Sequence, residues 1–330
     1  VIGPLADDGY EQMGTWVFDG ESRHSHTCLQ AIHDHVGDEV DIRFVRAMET
    51  SRSKSQHEFE QAVEIAQQSD AVVMFVGEES ILSGEAHCRA DISLPGSQAE
   101  LIESIAATGK PIVLVVLAGR PLTLAPVIDK VDAVLYAWHP GTMAGPAIAE
   151  LLFGLVSPSG KLPVSFPRAV GQIPIYYSKK NTGRPPSWDN ITHIDDIDGA
   201  AVQTSLGMSS FHLDAGFIPL FPFGFGLSYS QFEYSDIALS SNRILLGDTL
   251  NITAQIRNTG AVEAQEVVQL YIRDLVGNVT RPIKELKGFE KIRLKPGESQ
   301  TVSFSLHTDD LAFYNQKMQL VTELGDFHLW

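Results

Sequence analysis

The chain has 330 residues, enough for two domains that each bury a core, and its 44% hydrophobic and 20% charged content is that of a globular protein. Its 41 acidic against 24 basic residues leave a net charge of -17, which repels polyanions and argues against nucleic acid and anionic membrane as partners. No apolar run approaches the roughly 18 residues that span a bilayer. The two cysteines, Cys28 and Cys88, lie in different segments, no Cys/His spacing resembles a zinc site, and no metal or cofactor is expected.

VIGPL, residues 1–5, reads as a short apolar strand. A chain that starts inside a strand pattern reads as the downstream part of something longer. A polar loop with Gly9, Gly14 and Gly20 follows, and residues 24–36 then place Leu29, Ile32 and Val36 at helical spacing, with Gly37 as the stop. His24, His26, His33 and His35 crowd this segment, but i, i+2 spacing does not set two imidazoles on one helix face for metal binding. VDIRFV (40–45) begins the next strand, residues 58–68 carry Phe59, Val63 and Ala66 on one helical face, and AVVMFV (71–76) reads as a buried parallel strand.

After that strand comes GEESILSGEAHCRAD, residues 77–91, with Glu85 at its centre. The connection runs on to residue 96, about 20 residues where strand-to-helix loops usually take two to six. It also leaves the carboxyl end of a strand, where open α/β sheets place their ligands. Ser97, with Glu100 three residues later, reads as a capping box for the next helix.

PIVLVVL (111–117) and AVLYAW (133–138) are further apolar strands, and residues 144–153 return to helix. Such alternation predicts an α/β domain over residues 1–168, with a mostly parallel sheet flanked by helices as an αβα sandwich. Residues 169–232 have no sustained period and read as an irregular connector packing on the sheet domain. Within it FPFGFGLSY (221–229) alternates aromatics with glycines and suggests close backbone approach. From residue 233 to 330 the period changes to 2, with short strands between turn signals, the pattern of an antiparallel β-sandwich. Its final strand stops almost at once, so a truncated end is expected.

Phosphate-binding GxGxxG and GxxxxGK[ST] loops are absent, and so is the GxSxG nucleophile elbow. Carboxylates are the remaining chemistry, and the residues around Glu85 carry a resemblance. SGEAHCRADISLPGSQAELI, WHPGTMAGPAIAELLFGLVSPSGKLPVSFPRAVGQIPIYY, NTGRP, LFPFGFGLSYSQFEYSDI and ELKGFEKIRLKPGESQTVSFSL, in that order, make nearly the whole chain similar to the C-terminal half of a family 3 glycoside hydrolase. The type it resembles is the bacterial periplasmic β-glucosidase.

The resemblance implies a sheet domain followed by a fibronectin type III-like domain, with an N-terminal (β/α)8 barrel that this chain lacks. It implies retaining, exo-acting hydrolysis of β-linked gluco-oligosaccharides such as cellobiose. The nucleophile would be an aspartate on the barrel, outside this chain, and the general acid/base would be Glu85 by the SGE match. A periplasmic or secreted location follows from the same likeness, and a homodimer is allowed for. Arg89 is expected to anchor the loop through Asp91, with a plain surface ion pair as the alternative. Ser83, His87, Trp188 and His212 are candidate sugar contacts, although His212 stands in SSFHLD where relatives carry a different pair of residues. Glu78 and Glu79, at the loop base, are expected to be structural. The competing reading is a non-catalytic carbohydrate-binding or scaffolding fragment whose Glu85 is only a loop charge.

Overall fold

A computed structural model describes residues 1–204 and 206–330. Two compact units emerge, one of residues 1–155 and 166–173, the other of residues 156–165 and 174–330. The sequence expectation put residues 169–232 against the sheet domain as a separate connector. From Pro174 onward these residues instead cluster with the sandwich.

The first unit is built on three parallel strands, β1 (Val72–Gly77), β2 (Ile112–Leu117) and β3 (Ala133–Tyr136), in that order. Val72 stands opposite Ile112 and Val113 opposite Ala133. The two strands expected upstream shrink to single bridging residues, since Ile2 pairs in parallel with both Met74 and Val45. Gly3 explains the shortening: its φ is +128°, and a Cβ there would lie 2.1 Å from the Phe75 carbonyl oxygen. The backbone comes close to β1 and then turns away before a ladder can extend.

Helices α1 (Cys28–Val36) and α5 (Ala144–Leu152) share one cluster with the sheet, in which Cys28, Ile32, Ala144 and Ile148 pack on Phe75, Val115 and Leu117. Met74, Val76, Leu114 and Val116 point to the opposite face and are equally buried, as are Leu101, Ile102 and Ile105 of α3 (Gln98–Ala106). Strands covered on both sides are why these runs read as continuously apolar. Helices α2 (Phe59–Gln67) and α4 (Ala125–Ile128) complete the unit. Helix α1 starts at Cys28, later than expected, because the Thr27 hydroxyl caps it by accepting from the Gln30 amide at 3.3 Å. The expected capping box at Ser97 does not form; its hydroxyl donates to the Lys54 carbonyl at 3.3 Å.

The second unit holds two three-stranded antiparallel sheets. One has the order β4 (Phe232–Leu239), β5 (Thr249–Asn258), β8 (Ser299–His307), and the other β11 (Phe327–Leu329), β6 (Ala264–Asp274), β7 (Glu285–Leu294). Burial in β6 alternates residue by residue, the period-2 pattern read from the sequence. Ile256, Val268, Ile292, Leu294 and Val302 form one core cluster; Leu250, Ile252, Leu270, Ile272 and Leu306 form another. A two-residue ladder joins β9 (Phe313–Tyr314) and β10 (Leu320–Val321). The close approach expected in residues 221–229 is present, for a Cβ on Gly224 would lie 2.3 Å from Gln269 Oε1.

Candidate active site

Strand β1 ends at Gly77, and the loop that follows is fixed at its root and free at its tip. Gly77 has φ +134°, and a Cβ there would lie 1.8 Å from the Leu117 carbonyl oxygen, so only glycine lets the chain leave the sheet at this point. The next residue, Glu78, is fully buried. Its carboxylate is held by Arg89 Nη1 on one oxygen and by Arg120 Nε at 3.0 Å on the other. Arg120 also donates to the carbonyls of Leu82 and His87, and Arg89 to the carbonyl of Ser93 at 3.0 Å. One buried carboxylate and two guanidinium forks thus tie the loop's carbonyls to the end of the sheet.

Other groups hold the same root. Glu79 accepts from Ser51 Oγ at 2.8 Å and Arg52 Nη1 at 3.1 Å. The Gln98 side chain, fully buried, accepts from the Gly77 amide and donates to the carbonyls of Gly77, Ser51 and Pro95, joining the loop's entry to its exit. Thr15 Oγ1 lies 2.9 Å from the Ser80 carbonyl and 3.1 Å from that of Ser83.

Between Ser83 and His87, whose carbonyl Arg120 holds at 3.1 Å, the side chains are unconstrained. Residues 85–88 are exposed, Gly84 has φ +117° and Ala86 φ +64°. Left-handed backbone on both sides of Glu85 presents it at the apex. Its carboxylate has no hydrogen-bonding or ionic partner among the described residues, in contrast to Glu78 and Glu79 in the same loop. An exposed, unpaired carboxyl on a braced loop can donate or accept a proton at whatever faces it.

The remaining expected site residues divide. Ser83 is buried, and His87 lies with Nδ1 3.1 Å from the Ser83 carbonyl oxygen. Arg89 anchors the loop, but through Glu78 and not through Asp91. Asp91 is exposed and accepts from the Ser93 amide at 2.9 Å; that bond, more than the Arg89 charge, holds its carboxyl below the usual range. Trp188 and His212 belong to the second unit, where Trp188 packs on Phe217 with ring centroids 5.1 Å apart and His212 pairs with Gly216. Cys28 and Cys88 are both free thiols, and burial pushes Cys28 up to about 12. No cluster of metal-ligating side chains occurs among the described residues.

Four participants escaped the sequence reading: Thr15, Trp16, Arg120 and His139. Trp16 is 58% exposed at φ +69°, paired with Phe18 at 6.1 Å, and follows the threonine that touches Ser80 and Ser83. A usable signal did exist. The loop after residue 5 leaves the same end of the sheet as the Glu85 loop, so its aromatics were candidates by topology. His139, just past β3, is pushed below the ordinary histidine value, chiefly by burial, with the Glu78 charge opposing that and the Arg120 charge adding to it.

Comparison with known proteins places the chain in a family. The model of the glycosyl hydrolase family 3 C-terminal domain matches residues 1–229, and that of the fibronectin type III-like domain matches residues 266–330. A periplasmic beta-glucosidase of Salmonella typhimurium is 40% identical over 100% of this chain and 44% of its own length. A beta-xylosidase of Formosa agariphila is 38% identical over 99% of this chain and 43% of its own. The crystal structure of a beta-glucosidase from Listeria innocua in complex with isofagomine superposes on 99% of this chain and 43% of that one, with a TM-score of 0.88 at 35% identity. This chain therefore spans less than half the length of these relatives. With both domain models matched in order and the fold shared, the chain belongs to glycosyl hydrolase family 3, as its C-terminal portion.

Proposed function

We propose that this chain supplies the general acid/base of a retaining, exo-acting β-glucosidase, that Glu85 is that group, and that the nucleophile is an aspartate on a (β/α)8 barrel outside residues 1–330. The observation that carries the reading is the contrast within one loop. Glu78 and Glu79 are buried and paired, whereas Glu85 stands unpaired at the apex.

Retaining hydrolysis needs two carboxyl groups about 5–5.5 Å apart, one attacking the anomeric carbon while the other protonates the leaving oxygen. The acid must hold its proton in the first step and take one from water in the second. Charge on a neighbouring nucleophile favours the protonated form, and the glycosyl-enzyme removes that charge. A loop braced at its base suits this division, because the donor arrives on one domain while the sugar is held by another. Trp16, exposed beside the same loop, offers a stacking surface for the leaving-group sugar. The names of the relatives support β-glucosides and cello-oligosaccharides such as cellobiose as substrates, and a periplasmic or secreted location.

The test is Glu85→Ala in the complete enzyme, barrel included. Hydrolysis of glucosides with poor leaving groups should fall by about 10²–10⁴-fold, with activated aryl glucosides less affected and partly rescued by azide. Unchanged rates on poor leaving groups would leave the non-catalytic carbohydrate-binding or scaffolding role instead.

A further inference from the structure

Glu85 has no partner to set its position, so its placement depends on the fixed residues on either side of it, Ser83 before and His87 after. Ser83 is the buried one of the two. Its amide donates to the Ser80 carbonyl at 3.1 Å, its carbonyl accepts from Thr15 Oγ1 at 3.1 Å, and His87 Nδ1 lies 3.1 Å from the same carbonyl oxygen. The backbone of Ser83 is fully engaged. Its hydroxyl is not: Oγ is buried and has no hydrogen-bond partner among the described residues.

A second buried polar group in the same state lies beside it. Both ring nitrogens of His139 are shielded from solvent and unpartnered among the described residues. The two side chains meet over Gly119, where a Cβ would lie 2.4 Å from Ser83 Oγ and 2.7 Å from His139 Nε2. On its other side the imidazole is wedged against Gly14, where a Cβ would lie 2.3 Å from His139 Cγ. Two glycines thus clear the space in which a serine and a histidine face each other. Buried polar atoms lose hydration and regain it only through a partner. A neutral imidazole has one acceptor and one donor nitrogen, and a hydroxyl can serve either. Rotation of the Ser83 side chain about one bond is the smallest change that pairs its Oγ with the nearer imidazole nitrogen, Nε2.

We infer that Ser83 and His139 are positioning residues for the acid/base: their side chains hydrogen-bond to each other and hold the point from which the Glu85 apex departs. The inference rests on the acid/base reading of Glu85. It also gives Ser83 a role different from direct sugar contact, because a hydroxyl turned into the protein toward His139 is turned away from substrate.

The experiment is a double-mutant cycle in the complete enzyme with Ser83→Ala, His139→Phe and the pair, assayed on cellobiose and on 2,4-dinitrophenyl β-glucoside, with Glu85→Ala alongside. Each single variant should lower kcat on cellobiose by about tenfold or more, leave the activated substrate within about twofold, and the pair should be no worse than the worse single. His139→Gln, whose amide can still pair with a hydroxyl, should recover most of the loss, and His139→Leu takes the place of His139→Phe in the cycle if thermal melting shows that variant unfolded. Multiplying effects in the double variant, or equal losses on both substrates, would overturn the inference while leaving Glu85 in place. A Glu85→Ala enzyme that keeps its cellobiose activity would overturn both.

Discussion

Three glutamates within eight residues of one loop divide into two kinds, and burial with pairing separates Glu78 and Glu79 from Glu85. Glu78 has no exposure, and it bridges Arg89 and Arg120, whose side chains are each 18% exposed. Such a pair is weak evidence of net stability, but breaking it strands the remaining charges in a poorly solvated place. Glu78→Gln keeps the shape and removes the charge. It should lower unfolding stability in urea by about 3–5 kcal/mol and loosen the loop carbonyls that Arg120 holds. A loss below about 1 kcal/mol would mean that the guanidinium groups find water there. The residue scale is also where sequence reading is weakest. A charge run such as GEESILSGEAHCRAD shows that carboxylates are present, but not which one is paired.

At the scale of elements, the loop after β1 is long yet closed at its base. Gln98, at the start of α3, ties Gly77 at the entry to Pro95 at the exit through a single amide. Gln98→Leu keeps the volume and removes all of these bonds. Trypsin should then cut after Arg89 several-fold faster than in the parent chain, because local opening becomes easier while the rest of the sheet stays protected. An unchanged cleavage rate would mean that the arginine knot alone closes the loop. The length of this loop was legible in the sequence, since no strand or helix period fits residues 77–96. Its clamp was not. Ser97 has the better capping signature, yet its hydroxyl turns to Lys54 and Gln98 next to it does the joining. Capping rules describe a helix end in isolation, and here tertiary neighbours offered competing partners.

For the molecule as a whole, two kinds of core coexist. The first unit buries its strands on both faces, and the second buries alternate residues between two antiparallel sheets. Ile256, fully buried toward the end of β5, clusters with Val302 of the neighbouring strand and with Val268, Ile292 and Leu294 of the other sheet. Ile256→Ala should cost about 2–5 kcal/mol in the unfolding of the sandwich, read as a shift in denaturant midpoint with little change in slope. A smaller effect would show that the two sheets close over the gap.

What the amino-acid sequence determined alone was periodic: parallel strands alternating with helices, then strands of period 2, and between them one overlong loop with a glutamate at its centre. Periodicity is a short-range property, carried by residues two to four apart, and it survives without knowledge of the fold. Tertiary structure decided the pairings. It gave Arg89 to Glu78 and not to Asp91, reduced two expected strands to the bridging residues Ile2 and Val45, and brought Thr15, Arg120 and His139 to the root of one loop. Thr15 and Arg120 stand 68 and 38 residues from the carbonyls of Ser83 and Leu82 that they reach, and only the packing of the sheet's carboxyl-terminal edge brings them within hydrogen-bonding range.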